Sequence, residues 1–410
     1  MKFHQTLRAL MTAACVTLAV TAQAQTSDAL FDAGTLQEIR LWINARDLDE
    51  LRRTFDSNEY YPADMEWGNI RVRSVGIRSR GRGSRNPTKL GLRVDFDRYV
   101  TDQKFLGVRS IVLDNGWEDP SLIREGLAMT IFAQMGQPTP RESYGRVYIN
   151  GEYEGLYTIV ESIDKSFLAR TLGENEGYLF NYEYIDPFYG QYLGDALEPY
   201  EARFKAETHE SRPASVLYSP IHDLFREVNE ADGAIWRESV ERFLDLHQFV
   251  THVAIEEFTS EIDGILGDWG MNNFFLYRPS DSTRHVVIPW DRDNSFQAME
   301  ASVLHGTDQN VIVQRLLSYP DLRELYLQTL ERCAMMAGQD GWLEAQVNAR
   351  AALVERAALA DTRKRYSNED FNSSIAFLKA FAAARPAAVL AEVEQLRSGV
   401  AAPASRRRRF

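Results

Sequence analysis

Apolar and polar positions along the chain alternate in two rhythms, and the first half carries most of the period of two. Leu90, Leu92, Val94 and Phe96 alternate with polar neighbours and predict a strand over Lys89 to Phe96. Leu41 to Ile43 predicts an earlier strand, Asp47 to Thr54 a helix, and the β-branched and basic mixture from Asn69 to Arg80 a strand pair. Asp119-Pro120 suits the opening of a helix, because Asp caps and Pro is tolerated in the first turn. Ile123, Leu127 and Ile131 then give that helix one apolar face, and Gly136 closes it. Asn150-Gly151 lies between two β-rich runs, Arg146 to Asn150 and Glu152 to Val160, and predicts a tight hairpin. From Asp164 the pattern is mainly helical, with one strong helix expected over Trp236 to Glu257 and further helices from Gln309 to about Gln395. A single β unit interrupts it, with strands at Phe274 to Tyr277 and His285 to Pro289 around a polar turn. No internal repeat is visible.

This order predicts an α+β protein in two lobes, β-rich over 35–163 and mainly helical over 164–397, with a linker over 25–34 and a basic tail over 398–410. The first residues follow another pattern. Lys2 and Arg8 precede an apolar run from Ala9 to Val20, and Ala22-Gln23-Ala24 has the small-x-small form of a cleavage site. Residues 1–24 therefore read as a secretory signal peptide, too short in its apolar core to span a bilayer. A secreted or periplasmic location follows as an expectation, with no transmembrane segment in the mature chain.

Loss of Lys2 and Arg8 takes the formal charge from −13 to −15. So acidic a chain repels phosphate backbones, and no nucleic-acid partner is expected. Arg406 to Arg409 reads as a solvated end. Only Cys333 remains beyond the signal segment, so stability has to come from burial and not from an internal disulfide.

The candidate chemistry gathers around the inserted hairpin. Before its first strand stands Asp263-Gly264-Ile265-Leu266-Gly267-Asp268-Trp269-Gly270-Met271-Asn272-Asn273, and after its second stands Asp291-Arg292-Asp293-Asn294. A hairpin brings those two ends together, so Asp263, Asp268, Asn273, Asp291 and Asp293 are candidates to face one point. Oxygen-rich clusters suit hard cations such as Mg²⁺, and Mg²⁺ suits phosphate substrates. Phosphoryl transfer needs a base for the attacking hydroxyl and an amide and a carboxylate for metal. Asp268 and Asn273 have the five-residue spacing of base and metal-binding Asn in protein kinases, with a strand after, and Asp291 then takes the place of the metal-binding Asp. The basic, glycine-rich loop Arg78 to Lys89 is neither a Walker loop nor a Gly-x-Gly-x-x-Gly fingerprint. Across a cleft from the acidic site it would supply cations for phosphate. No His spacing suits a metal, and no nucleophile elbow is present.

These segments, taken in order, resemble the spore coat protein H (CotH) family of atypical protein kinases. The resemblance is carried by Arg78-Ser79-Arg80-Gly81 with Ser84 and Lys89; by Leu122-Ile123-Arg124; by Val147-Tyr148-Ile149-Asn150-Gly151-Glu152-Tyr153 with Gly155, Tyr157 and Glu161; and by Asn273-Phe274-Phe275-Leu276-Tyr277 with Pro289-Trp290-Asp291-Arg292-Asp293. It implies a kinase-like two-lobed fold that binds ATP with Mg²⁺ or Mn²⁺ and phosphorylates Ser or Thr hydroxyls of a protein acceptor. It also implies that Lys89 meets ATP phosphates with Arg80 and Ser84 nearby, that Arg124 faces the cleft, that Glu161 lies at the hinge, and that Asp291 is the main metal ligand, with Asn273 and Asp293 beside it. Asp263-Gly264 matches the Asp-Gly or Asp-Ser pair that often follows a helix in the family, whereas kinase spacing favours Asp268, so both stand as candidate bases. Two other classes share these features: an inactive kinase-fold envelope or surface binding protein, and a metal-dependent phosphohydrolase.

Overall fold

A computed structural model describes residues 26–399. Residues 1–24, expected from the sequence to be a signal peptide, and nearly all of the basic tail lie outside the described residues.

The first half is a closed barrel of seven strands: β1 (Leu36–Ile43), β2 (Tyr61–Trp67), β3 (Ile70–Ser79), β4 (Leu92–Asp95), β5 (Ser110–Asp114), β6 (Glu142–Ile149) and β7 (Glu152–Glu161). The strand order is β1-β2-β3-β4-β5-β7-β6, and β1 closes the barrel by pairing in parallel with β6, Leu36 opposite Tyr144. Period-two burial fills the interior with Ile39, Leu41, Met65, Leu92, Val94 and Ile159. The β6–β7 hairpin turns at Asn150-Gly151, both with positive φ, as the primed turn that matches strand twist requires.

The second half builds a four-stranded sheet, order β11-β10-β8-β9, from β8 (Tyr178–Tyr182), β9 (Phe204–Ala206), β10 (Phe274–Arg278) and β11 (Val286–Pro289). Around it pack the helices Ala214–Glu230, Leu246–Thr259, Pro320–Gly338, Trp342–Ala360 and Asn368–Ser398. The protein is thus α+β, with a barrel followed by a mainly helical part.

Three expectations are corrected, two of them by tertiary contacts. Trp236 to Glu257 is not one helix but two, Trp236–Glu241 and Leu246–Thr259. The break is stabilised by the pairing of Phe243 to Asp245 with His285, and by the Asp245 carboxylate capping the Gln248 N–H. The helix expected from Asp119 begins at Arg124, because the Asp119 carboxylate accepts from the Ser121 and Arg124 N–H groups and holds an irregular turn there. Finally, Asn368–Ser398 is long and apolar enough to cross a membrane by length and composition, which the sequence reading did not anticipate. In this fold it packs against the helical core through Phe371, Leu378, Phe381 and Val389.

Midway along that helix, Arg385 is fully buried and donates to the carbonyls of Glu257, Phe258, Met299 and Ala301. Those donors reach carbonyls at the end of the Leu246–Thr259 helix and in the loop that follows the acidic segment, of which only the Glu257 carbonyl also accepts the Ser260 N–H. Arg385→Met should therefore leave several buried carbonyls unpaired and cost on the order of 3 kcal/mol in urea unfolding; an unchanged midpoint would contradict this role.

Candidate functional site

The helix Leu246–Thr259 ends at Ser260 in the left-handed region, and the chain turns into the acidic loop that leads to β10. Backbone hydrogen bonds fold this loop back on itself: Asp268 N–H to the Ile262 carbonyl at 2.9 Å and Asn272 N–H to the Gly264 carbonyl at 3.0 Å. Its two ends therefore meet. Asn272 Nδ2 donates to both Asp263 oxygens at 3.1 Å, and Asn273 Nδ2 donates to Oδ2 at 2.9 Å. Across the hairpin, Trp290 N–H donates to the Asn273 carbonyl, which sets Asp291 beside this group. Asn273 and Asp291 both have positive φ, a conformation that Asn and Asp tolerate better than most residues and that gathers at functional sites.

A buried triad behind the two loops holds them in register. Glu256 Oε1 meets Arg292 Nη2 at 2.8 Å and His252 Nε2 at 3.1 Å, while Oε2 accepts the Ile265 N–H at 2.9 Å. One carboxylate thus grips the loop that carries Asp263 and the residue next to Asp291. Burial pushes the Glu256 carboxyl up, but Arg292 and the hydrogen bonds outweigh it and hold it below its ordinary value. Burial in turn holds the His252 imidazole low. Gly264 is required here, because a Cβ would stand 2.6 Å from the Glu256 carboxyl carbon and 2.7 Å from Arg292 Nη1. Glu261 adds a second tie, accepting from the Asp263 N–H at 2.8 Å and the Ser295 hydroxyl at 2.6 Å.

The barrel supplies the opposite wall. Asp114, the last residue of β5, accepts from Arg80 Nη1 at 2.8 Å, and the Arg80 guanidinium lies 5.5 Å from the centre of the Trp290 ring. Asn294 Nδ2 joins Asp293 Oδ1 at 3.0 Å to Glu118 Oε2 at 3.3 Å. The basic loop bends close above, since a Cβ on Gly83 would stand 3.0 Å from Glu118 Oε1. Asp114, Glu118, Asp263, Asp291 and Asp293 thus share one cleft with Arg80.

The electrostatics record the crowding. The Asp291 carboxyl is pushed up to about 7, first by loss of solvent and then by Asp114, with Arg80 opposing and Glu118 and Asp263 adding. Asp263 is pushed up to about 6, chiefly by burial, with the Asn272 amide pulling the other way. Burial and the Asp291 charge push Asp293 well above the carboxylate range. Behind them Glu125 and Glu142 are likewise held high by burial and by neighbouring carboxylates. Among the described residues no group of three or more His, Cys, Asp or Glu side chains forms a ready metal cage. The donor set of Asp291, Asp293 and Asn273 is oxygen-only and suits a hard cation that keeps water or phosphate oxygens in its other positions. The raised carboxyls beside it mark uncompensated negative charge of the kind such a cation relieves.

Several expected residues stand elsewhere. Asp268 sits at the exposed tip of the folded-back loop and pairs with His305 Nε2 at 2.5 Å, so its five-residue spacing from Asn273 does not bring it to Asp291. Asp263 occupies that place instead. Lys89 turns behind the cleft, where its ammonium is fully buried between the Leu156 carbonyl at 2.7 Å and Asp361 at 2.8 Å. Glu161 is buried in ion pairs with Arg141 at 2.6 Å and Arg170 at 2.5 Å, which leaves its carboxylate committed to the barrel edge. Arg124 lies 3.5 Å from Asp119 and lines a separate shallow cleft with Tyr366 and Phe377. Ser84 contributes its carbonyl to Asn86 and Asn115 in shaping the basic loop. The sequence reading missed Asp114, Glu118, Asn272 and the Glu256 triad. The run Asp114-Asn115-Gly116-Trp117-Glu118 after the apolar Ile111-Val112-Leu113 repeats the arrangement of Asp291 after β11, and His252 and Glu256 are one helical turn apart.

The model of the family described as CotH kinase protein matches residues 77–389. The chain is similar to the inner spore coat protein H of Bacillus subtilis (strain 168), 25% identical over 340 residues, covering 81% of this chain and 91% of that protein. Among solved structures it aligns with the Helicobacter pylori proinflammatory kinase CtkA at a TM-score of 0.32 and 10% identity, over 76% of this chain and 94% of that one. It also aligns with the Shewanella oneidensis MR-1 toxin–antitoxin system of HipA, HipB and operator DNA, at a TM-score of 0.36 and 13% identity, over 88% of this chain and 74% of that one. Superpositions this loose establish neither a shared architecture nor a shared activity.

Two outcomes follow from the site. Glu256→Ala strands Arg292 as an unpaired buried charge and should cost about 3–5 kcal/mol; chemical denaturation of this variant and of Glu256→Ala/Arg292→Met should show the double change recovering much of the loss. The second concerns pH. Asp263 and Asp291 have folded-state values above the ordinary 3.8, so protonation favours the fold. Their contribution to stability is full below about pH 4 and is lost as pH rises through 6 to 7. Thermal unfolding in EDTA should show this decline, and Asp291→Asn or added Mg²⁺ should flatten it; a wild-type slope unaffected by either would refute the assignment.

Proposed function

Because the chain belongs to the CotH kinase protein family, we propose that it is an ATP-dependent protein kinase that transfers the γ-phosphate to Ser or Thr hydroxyls of a protein acceptor outside the cytoplasm. The observation that carries this reading is the convergence of Asp263, with its two amide partners, and Asp291 in a cleft whose barrel wall presents Arg80. The signal-like first residues support the location.

In this reading Asp263 is the base. Its carboxylate, oriented by Asn272 and Asn273, hydrogen-bonds the acceptor hydroxyl and takes its proton as the oxygen bonds to the γ-phosphorus. The bond from that phosphorus to the oxygen it shares with the β-phosphate breaks, and ADP leaves with the electron pair. A carboxyl raised to about 6 is still ionised in most molecules at neutral pH and is a stronger proton acceptor than an ordinary Asp. Arg80 lies where it can pair with phosphate oxygens once they draw it from Asp114. Asp291, Asp293 and Asn273 would hold Mg²⁺ or Mn²⁺, whose charge neutralises the phosphates when bound. The Glu256 triad and Glu261 keep base and metal ligand at a fixed separation, which matters because misplacement of a reacting group by about 1 Å costs roughly 100-fold in rate.

Purified mature protein incubated with γ-labelled ATP and Mg²⁺ or Mn²⁺ should label itself or an added acceptor protein. Asp263→Asn should lower labelling at least ~100-fold and Asp291→Ala should abolish it, whereas Asp268→Asn should stay within roughly threefold of wild type. Phosphate release without protein labelling would make the protein a hydrolase. Nucleotide binding without either would make it a binding module.

A further inference from the structure

Lys89 is the cation that the family resemblance directs to ATP phosphates, yet its ammonium is committed to the Leu156 carbonyl and Asp361, and the cleft carboxylate Asp114 acts on it more weakly than Asp361 does. Its backbone stays in the cleft wall, where the Lys89 carbonyl accepts from Asn115 and its N–H donates to Asn86. The ammonium reaches a gap in the barrel's hydrogen bonding. Strand β5 ends at Asp114 opposite Thr158, so Leu156 on β7 lies beyond its last partner. Lys89 Nζ donates to the Leu156 carbonyl at 2.7 Å, and the Leu156 N–H donates to Asp361 Oδ2 at 3.0 Å. Lys89 and Asp361, themselves 2.8 Å apart and fully buried, thus stand in for the missing strand.

Asp361 comes from the other half of the molecule. It caps the end of the helix Trp342–Ala360, and its second oxygen accepts the N–H groups of Arg363 and Lys364, which shapes the turn into the last helix. The barrel is built to receive it: Gly155 has φ +140°, and a Cβ there would stand 2.5 Å from the Asp361 carboxylate. Weaker ties surround the pair. Tyr153 donates to the Ala357 carbonyl, and Glu154 holds Arg52 at 2.8 Å and Arg363 at 3.5 Å.

We propose that Asp361 is a positioning residue that locks Lys89 into a staple between the barrel and the C-terminal helices, leaving Arg80 as the cation of this pair that meets phosphate. Drawing Lys89 into the cleft would strand a buried carboxylate and reopen the gap at Leu156, which is strongly unfavourable. Arg80 faces no such barrier, because its partner Asp114 already lies in the cleft and its side chain is partly accessible. The phosphate half of this inference rests on the phosphotransfer reading; the staple does not.

The test separates the two halves. Melting temperatures without nucleotide are measured for Lys89→Met, Asp361→Asn and the double variant, and affinity for a fluorescent ATP analogue with Mg²⁺ is measured for the double variant and for Arg80→Met. Each single change should lower Tm by about 5 °C or more, and the double variant should melt no lower than the weaker single, since both remove one interaction. The double variant should bind the analogue within roughly threefold of wild type, and Arg80→Met should weaken binding about tenfold or more. Melting losses that add, or a folded double variant that loses affinity as Arg80→Met does, would overturn the inference. If a single variant does not fold, recovery in the double variant supports the staple, and failure of the double variant as well overturns it. Wild-type protein that binds no ATP would defeat the kinase reading while leaving the melting comparison to judge the staple.

Discussion

The site depends on one buried carboxylate. Glu256 joins the loop bearing Asp263, through the Ile265 N–H, to the segment bearing Asp291, through Arg292. Two acidic groups brought together in a poorly solvated cleft repel, and left to themselves their loops would part. A buried ion pair contributes little to net stability, since desolvation offsets most of its Coulomb energy, but it is strongly directional when every partner is present. Here that direction fixes the separation of two carboxylates, a constraint that matters more for chemistry than for folding energy.

The barrel and the helical part each hold half of the electrostatic problem. The helical side presents Asp263, Asp291 and Asp293, and the barrel side presents Asp114 and Glu118 with Arg80. The raised Asp263 and Asp291 carboxyls are what such an arrangement imposes before a counter-ion arrives. In the proposed reading cation and phosphate would be complementary: the cation would relieve the carboxylates, and the phosphate would draw Arg80 from Asp114.

Helical ties across the two halves have a further consequence. Arg385 fastens the last helix to the end of the helix that carries Glu256, and Asp361 fastens the turn before it to the barrel. The C-terminal hairpin of helices is thus connected to both walls of the cleft. Its own sequence contributes no carboxylate to the cleft; it sets how the walls face each other.

Local signals in the sequence were enough for the elements that depend on neighbours. Asn150-Gly151 demanded a hairpin, the alternation from Leu90 to Phe96 a strand, and the two acidic segments flanking β10 and β11 had to meet once those strands paired. Asp291 and Asp263 were legible for that reason. Everything that required distant partners was not. Spacing pointed to Asp268, but the loop's own backbone bonds carry it outward to His305, and no spacing rule contains that fold-back. Lys89 reads as a phosphate cation until a carboxylate 272 positions away takes it, and Asp114 and Glu118 join the site only because β5 enters the barrel beside it. Sequence alone thus determined which polar residues flank the inserted hairpin; tertiary structure decided which of them stand together and which distant residues join them, because charge pairing and burial act between residues that are close in space and not in the chain.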